Sequence, residues 1–264
     1  MTRRRLDTEL VRRGLVASRA EAQEAVRNGL VLVSGSPATK VATMVGDDAP
    51  IALRGDARRF VSRGGEKLRA ALDRFGVDPA GLEALDAGAS TGGFTDCLLQ
   101  AGAARVIAVD VGYGQLAWSL RTDDRITVME RTNVREVRPE SLPFVPSLVV
   151  ADLSFISLSI VLPALASLAS SDAVFILLVK PQFEAGPKDV GSGGVVRDPA
   201  VWGRVLRETV ARSTTDGIAP VGLMASPVVG PAGNVEFLLH GRGGAQPVTL
   251  DIDAVVAEGE GIRG

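Results

Sequence analysis

One cysteine, one histidine and one tyrosine occur in these 264 residues, and aromatic side chains make up 4% of them. A single thiol, Cys97, has no partner for an internal disulfide and excludes a multi-cysteine metal site. A single imidazole, His240, argues against a histidine-built zinc site and a Ser-His-Asp hydrolase, so no metal is expected. Long apolar runs are missing too. The stretch from Ser147 to Lys180 is broken by Asp152, Pro163 and Asp172, and reads as strands and a buried helix, not a membrane span. Met1 to Arg5 is basic, but no apolar segment follows it. No signal peptide is expected, and a soluble, cytoplasmic protein is.

What remains is an ordinary globular balance of 46% hydrophobic and 23% charged residues. The net charge of −2 conceals a split: residues 1–67 carry +5 and residues 68–264 carry −7. A basic head on an acidic body suggests a polyanion-binding module joined to an enzyme-like domain. Arginine-rich helices can also be no more than solvated faces.

In the head, Leu6 to Arg13 reads as a short helix ended by Gly14. Ser18-Arg19-Ala20-Glu21 fits a capping box that starts a second helix, which Gly29 stops. Val31 and Val33 alternate as a strand, with Ser34-Gly35 as its turn, and 40–44 and 51–53 can pair back. The order "RLDTELVRRGLVASRAEAQEAVRNGLVLVSG" resembles the S4 RNA-binding domain. That resemblance makes Arg4, Arg5, Arg12, Arg13, Arg19, Arg27 and Lys40 candidate phosphate contacts. The head has almost no aromatic side chain, so shape and backbone recognition of folded RNA fits it better than base stacking.

The basic, glycine-rich stretch "RGDARRFVSRGG" has no periodicity and reads as a linker. The expected division is a head at 1–55, a linker at 56–65, a larger domain at 66–245 and an acidic, poorly patterned tail at 246–264. Ser62 caps a helix from about Gly64 to Phe75 that carries Lys67.

From Leu82 onward short apolar strands alternate with helices. Strands are read at 84–87, 105–111, 126–129, 148–151, 174–179, 218–224 and 235–240, with helices near 93–101, 116–119, 160–169 and 200–215. This βαβ rhythm implies an α/β fold with a mostly parallel sheet covered on both faces. The last two strands are joined by Ser226 to Gly233, too short and too rich in proline and glycine for a helix, so they form an antiparallel edge hairpin. That feature resembles Rossmann-like class I methyltransferases.

The turn "LDAGASTGGF" leaves the first strand where such a sheet binds its ligand. Gly88, Gly92 and Gly93 let the backbone approach closely, and Asp110 ends the next strand, placed to accept ribose hydroxyls. The G-x-G-x-x-G spacing is absent, because 86 is Asp and 90 is Ser. Asp86 would repel a pyrophosphate but can orient the amino group of a methionine moiety through water. S-adenosylmethionine is therefore expected rather than a dinucleotide.

Four charged residues fall on elements that border one cleft: Lys67 on the helix before the first strand, Asp152 after the fourth, Lys180 at the end of the fifth and Glu236 on the last. Any one has a bland explanation, as a helix cap, a strand-end cation or a surface charge. Together they resemble the Lys-Asp-Lys-Glu tetrad of ribose 2′-O-methyltransferases of the FtsJ/RrmJ type. A sulfonium methyl is already electrophilic, so such an enzyme has mainly to align it and remove the hydroxyl proton. An amine takes that proton only when uncharged, a state that a neighbouring cation favours. Lys180 is expected to be the base, with Lys67 beside it holding the 2′-oxygen, and Asp152 and Glu236 orienting the two amines.

The whole chain resembles the TlyA family of rRNA cytidine-2′-O-methyltransferases, some of which are labelled haemolysins. The segments carrying the resemblance are "LDAGASTGGFTD", "VDVGYGQLAWSLR", "ERTNVR", "VVADLSFISL", "LLVKPQFEAG", "GGVVRDP" and "GNVEFLLH". It implies methylation of a cytidine ribose in 16S or 23S rRNA, or both, within ribosomal subunits or assembled particles. It also implies a cofactor pocket lined by Asp86, Gly88, Ser90, Gly92, Asp110, Val111, Asn133 and Asp152, with Asn133 and Val134 near the adenine. Three rivals are weighed against it. A membrane-active haemolysin needs a spanning or strongly amphipathic element, and none is read. An RNA-binding protein with a vestigial methyltransferase domain would not need all four charged residues. An S4-bearing pseudouridine synthase needs an aspartate nucleophile in another fold and no methyl donor.

Overall fold

The computed structural model describes residues 3–16, 18–27, 29–53 and 59–263. Part of the expected linker, residues 54–58, lies outside the described residues. The chain divides into two units, Met1–Val61 and Ser62–Gly264.

The first unit runs β1 (Arg3–Arg5), α1 (Leu6–Arg12), α2 (Arg19–Arg27), β2 (Val31–Val33), β3 (Ser36–Pro37), β4 (Met44–Gly46) and β5 (Ile51–Leu53). Gly14, at φ +67°, ends the first helical segment in the left-handed region where glycine is favoured. The Ser18 hydroxyl accepts from the Glu21 amide at 3.2 Å, one half of the expected capping box. β2 is flanked by β3 and β5. β1, which no apolar alternation announces, pairs antiparallel with β4. Leu6, Leu10, Ala22, Val26, Val31 and Val45 form the core. Two acidic residues of α1, Asp7 and Glu9, are fully buried, and arginines surround both.

The second unit opens with α3 (Gly64–Phe75), and then β6 (Glu83–Ala87), α4 (Gly93–Gln100), β7 (Arg105–Val109), α5 (Trp118–Arg121) and β8 (Ile126–Met129) follow. After two short 3-10 turns come β9 (Leu148–Ala151), α6 (Leu158–Leu168), β10 (Val174–Val179), α7 (Pro181–Glu184), α8 (Pro199–Thr215), β11 (Ile218–Ala225), β12 (Phe237–Gly243) and α9 (Ile252–Arg263). The seven strands order as β11-β12-β10-β9-β6-β7-β8. β12 is antiparallel to both β10 and β11, and the other pairings are parallel. The expected edge hairpin is thus present, with β11 outermost. The Rossmann-like α/β sheet reverses its strand order between β6 and β9, and ligands of such sheets bind outside the carboxyl ends at that point.

The strands are near-continuous apolar runs because helices cover both faces. Leu85, Val149, Leu177, Phe237 and Trp202 meet in the core, and the Trp202 indole N–H donates to the Val196 carbonyl at 3.0 Å. The tail departs from its sequence reading. Ile252–Arg263 is a helix packed on α8 and β11. Ile252, Val255, Val256, Gly259 and Ile262 make one face, which acidic residues and glycine obscure in the sequence. Glu258 accepts from the Ala225 amide at 3.2 Å.

Candidate active site

A cavity of about 280 Å3 opens at the carboxyl end of the sheet, and Lys67, Asp152, Lys180 and Glu236 all border it. Each arrives from a different element. Lys67 lies in the first turn of α3, Asp152 follows β9, Lys180 follows β10 and caps α7, and Glu236 directly precedes β12. Glu236 was expected on the last strand itself. The ladder begins one residue later, so its side chain is not bound to the in-out alternation of a strand.

The four form two ion pairs. Lys67 Nζ lies 2.5 Å from Glu236 Oε2, and Lys180 Nζ lies 2.5 Å from Asp152 Oδ1. The Lys180 ammonium also donates to the Ser154 hydroxyl at 2.9 Å. Lys67 is 6% exposed, Lys180 8% and Glu236 1%, so these charges have left water. Buried charges are tolerated when paired, because desolvation otherwise outweighs any gain. The Asp152 side chain keeps 23% of its exposure and is the wet end of the set.

The turn after β6 forms the facing wall. Gly88 takes φ +86°, and a Cβ there would sit 2.6 Å from the Asp152 carbonyl. Only glycine lets the two strand ends approach so closely. Ser90, at φ +49°, carries its amide toward Asp110, whose Oδ2 accepts it at 2.7 Å while Oδ1 accepts the Gly112 amide at 2.6 Å. A smaller cavity lies on that side of the turn, bordered by Ser90, Asp110, Gln115 and Glu130. Glu130, just past β8, accepts from the Gly114 amide at 2.7 Å and pairs with Arg121, whose guanidinium holds its carboxyl below the usual range. The Gly88–Ser90 turn therefore separates a compartment with two lysines from one with two carboxylates.

Asp86 is fully buried under this turn. The Thr95 hydroxyl donates to its Oδ2 at 2.6 Å, and Oδ1 has no partner. Burial pushes its carboxyl up to about 7. An orphaned buried carboxylate oxygen beside a glycine turn suits a cationic ligand group. Gly92, at φ +97°, packs its bare Cα against Leu120 and Leu116 and so seats the start of α4.

The other sequence-derived positions are more scattered. Val111 is 72% exposed, and the Val134 side chain is buried in the core shared with α6. Asn133 caps the turn at 134–136, accepting from the Arg135 amide at 3.1 Å. Of the expected cofactor residues, Asp86, Gly92, Val111, Asn133 and Val134 border neither cavity. In the head, Asp7 accepts from Arg5 and Arg19, while Glu9 accepts from Arg12 and Arg13. Arg13 also donates to the carbonyls of Ala49, Asp47 and Gly46, which makes it a structural clasp. Arg4 pairs with Asp47, and Arg27 reaches Gln23 at 3.4 Å.

Several residues at the site escaped the sequence reading. Ser154 and Arg63 border the main cavity, and Gln182 touches Glu236. Phe155 stands 91% exposed at φ +63°, its ring 5.3 Å from that of Phe183. Their signal was adjacency to Asp152, Lys180 and Lys67 in sequence, since polar and aromatic residues beside strand ends face the same cleft.

Comparison with known proteins agrees with this geometry. Residues 60–243 match the FtsJ-like methyltransferase family and residues 4–51 the S4 domain. The 16S/23S rRNA (cytidine-2′-O)-methyltransferase TlyA of Mycobacterium tuberculosis is 54% identical over 90% of this chain and 89% of that protein. The chain belongs to the TlyA family of FtsJ-like methyltransferases. It is a methyltransferase that uses S-adenosylmethionine, carrying an S4 RNA-binding head. Other TlyA-like relatives bear a different designation. Hemolysin A of Brachyspira hyodysenteriae is 38% identical over 89% of this chain and 98% of its own. A solved structure of a hemolysin-designated protein from Streptococcus thermophilus is 40% identical, with a TM-score of 0.81 over 99% of this chain and 97% of that one. No helix among the described residues is long and apolar enough to cross a membrane.

Proposed function

We propose that this chain methylates the 2′-oxygen of a cytidine ribose in ribosomal RNA, in assembled ribosomal subunits, and that Lys67, Asp152, Lys180 and Glu236 carry the reaction. The observation behind this reading is the double ion pair bordering one cavity beside the Gly88–Ser90 turn. The name of the M. tuberculosis relative supports the acceptor, and the S4 head supports an RNA.

The residues present fit S-adenosylmethionine. Asp110 and Glu130 suit its hydroxyls, while the turn from Gly88 to Ser90 suits close approach of the donor, with Asp152 on the cavity and Asp86 buried beneath the turn as carboxylates for a cationic group. When bound, that donor supplies an electrophilic methyl group. The protein has to deliver the ribose oxygen in line and take its proton. Lys180, steadied by Asp152 Oδ1 at 2.5 Å, is the amine placed to accept the 2′-hydroxyl proton on its Nζ lone pair once its own proton has gone to solvent. Ser154 holds the amine on its second side at 2.9 Å. Lys67 stays charged against Glu236 and stabilises the negative charge that grows on the 2′-oxygen, an interaction strengthened by the absence of water. Exposed Phe155 offers a face for a splayed base.

The test is transfer of labelled methyl from S-adenosylmethionine to each purified ribosomal subunit, followed by mapping of the modified ribose. Label on a cytidine 2′-oxygen in 16S or 23S rRNA is the expected result. No transfer to either subunit would overturn the assignment.

A further inference from the structure

Gln182 lies two residues past Lys180, in α7, and does not border the cavity. Its Nε2 donates toward Glu236 Oε1 at 3.4 Å, long for a hydrogen bond but directed at a carboxylate. The other carboxylate oxygen, Oε2, faces Lys67 at 2.5 Å. Glu236 thus divides its two oxygens between an amide and an ammonium. Near Oε1 the space is tight: a Cβ on Gly230 would come within 2.6 Å of it.

The same amide has a defect. Gln182 Oε1 is buried and has no partner. A buried acceptor without a donor is unfavourable, and buried amides are normally paired. Turning the amide over does not help, because it sets a carbonyl oxygen against Glu236 Oε1. The ionised carboxylate dictates the orientation, and Gln182 holds it at the expense of its own oxygen. A residue that only filled space would gain by being apolar.

α7 is braced at its far end as well. Glu184 accepts from the Ser157 hydroxyl and the Leu158 amide, each at 2.6 Å, tying the turn to the loop that follows Asp152. One short turn therefore holds Lys180 against Asp152 and aims Glu236 at Lys67.

We propose that Gln182 is a positioning residue for methyl transfer, fixing Glu236 and through it Lys67 Nζ. The proposal rests on the reading above that the Lys67–Glu236 pair serves the reaction. A misplacement of even an ångström at a reacting centre is costly in rate, while the same change costs the fold little.

The full-length protein carrying Gln182→Met is assayed by methyl transfer to ribosomal subunits and by thermal melting. The expected result is a kcat lowered by about 10-fold or more, an RNA KM within about 2-fold, and a Tm unchanged or raised. Gln182→Glu adds a pH readout. Protonated, it restores a donor to Glu236; ionised, it repels it. Its activity relative to wild type is therefore expected to be higher at pH 6.5 than at pH 8.5. An unchanged kcat in Gln182→Met, a kcat and Tm that fall together, or a pH-independent loss in Gln182→Glu each overturns the proposal. An inactive Lys67→Ala beside a fully active Gln182→Met would sink this inference alone. A fully active Lys67→Ala would remove the reading beneath it.

Discussion

The Thr95 hydroxyl donates to Asp86 Oδ2 at 2.6 Å, and the other oxygen of that fully buried carboxyl has no partner. The pair lies directly beneath the turn assigned to the methyl donor. Burial, opposed by the Thr95 bond, raises the carboxyl from 3.8 to about 7. A raised folded-state value means that stability present below the unfolded value is lost as pH rises through the folded one. Asp86→Asn keeps a partner for Thr95 without the charge. Its advantage in unfolding free energy over wild type should grow between pH 4 and pH 7 and level off above, reaching about 4 kcal/mol by linkage, and Tm should follow it. The same variant should bind S-adenosylmethionine more weakly, by calorimetry. A pH-independent difference in Tm would refute the linkage.

The two lysines can be told apart. Loss of a positioned acid or base costs about 100- to 10,000-fold in rate. Both Lys180→Ala and Lys67→Ala should fall in that range. If Lys180→Ala kept full turnover and Lys67→Ala lost it, the base would be Lys67. Glu236→Gln should also lower stability by about 3–5 kcal/mol, because it strands the Lys67 charge at 6% exposure. Denaturant unfolding measures that loss.

Not every arginine in the head is equivalent. Arg13 donates to three carbonyls as well as to Glu9, so Arg13→Ala should destabilise the head by about 1–3 kcal/mol. Arg27→Ala and Lys40→Ala should leave its melting intact and each lower the salt slope of RNA affinity by about 1, whereas Arg19→Ala also removes a partner of buried Asp7 and should destabilise the head. Glu9 is held down to about 2, first by Arg12 and then by Arg13. A lowered value gives stability that is present above 4.5 and lost as pH falls toward 2, so the head should resist mild acid. A flattened slope with unchanged melting in Arg13→Ala would reverse its role.

Phe155 combines 91% exposure with a left-handed backbone. Phe155→Ala should change stability by less than about 0.5 kcal/mol, since little is packed against the ring. It should weaken RNA binding by about 10-fold, the size of one lost stacking contact. Filter binding to ribosomal subunits decides it, and unchanged affinity would remove the base-stacking role.

The sequence by itself determined the order of the sheet's seven strands and of the main helices between them, the edge hairpin, the glycine turn and which four charged residues border one cleft. These follow from local rules: alternating burial, left-handed positions that demand glycine, and charges placed at strand ends. It also determined a basic head, though not which arginines are free. Tertiary structure decided which lysine pairs with which carboxylate, because Lys67 and Glu236 lie 169 residues apart. It buried Asp7, Glu9 and Asp86, which no local pattern marks, since burial of a charge depends on partners brought from elsewhere. It made a helix of the tail, whose apolar face has value only against α8 and β11. The turn at Gly88 is legible as a turn from its residues alone. That it must be glycine to clear the Asp152 carbonyl is known only once β6 and β9 lie side by side.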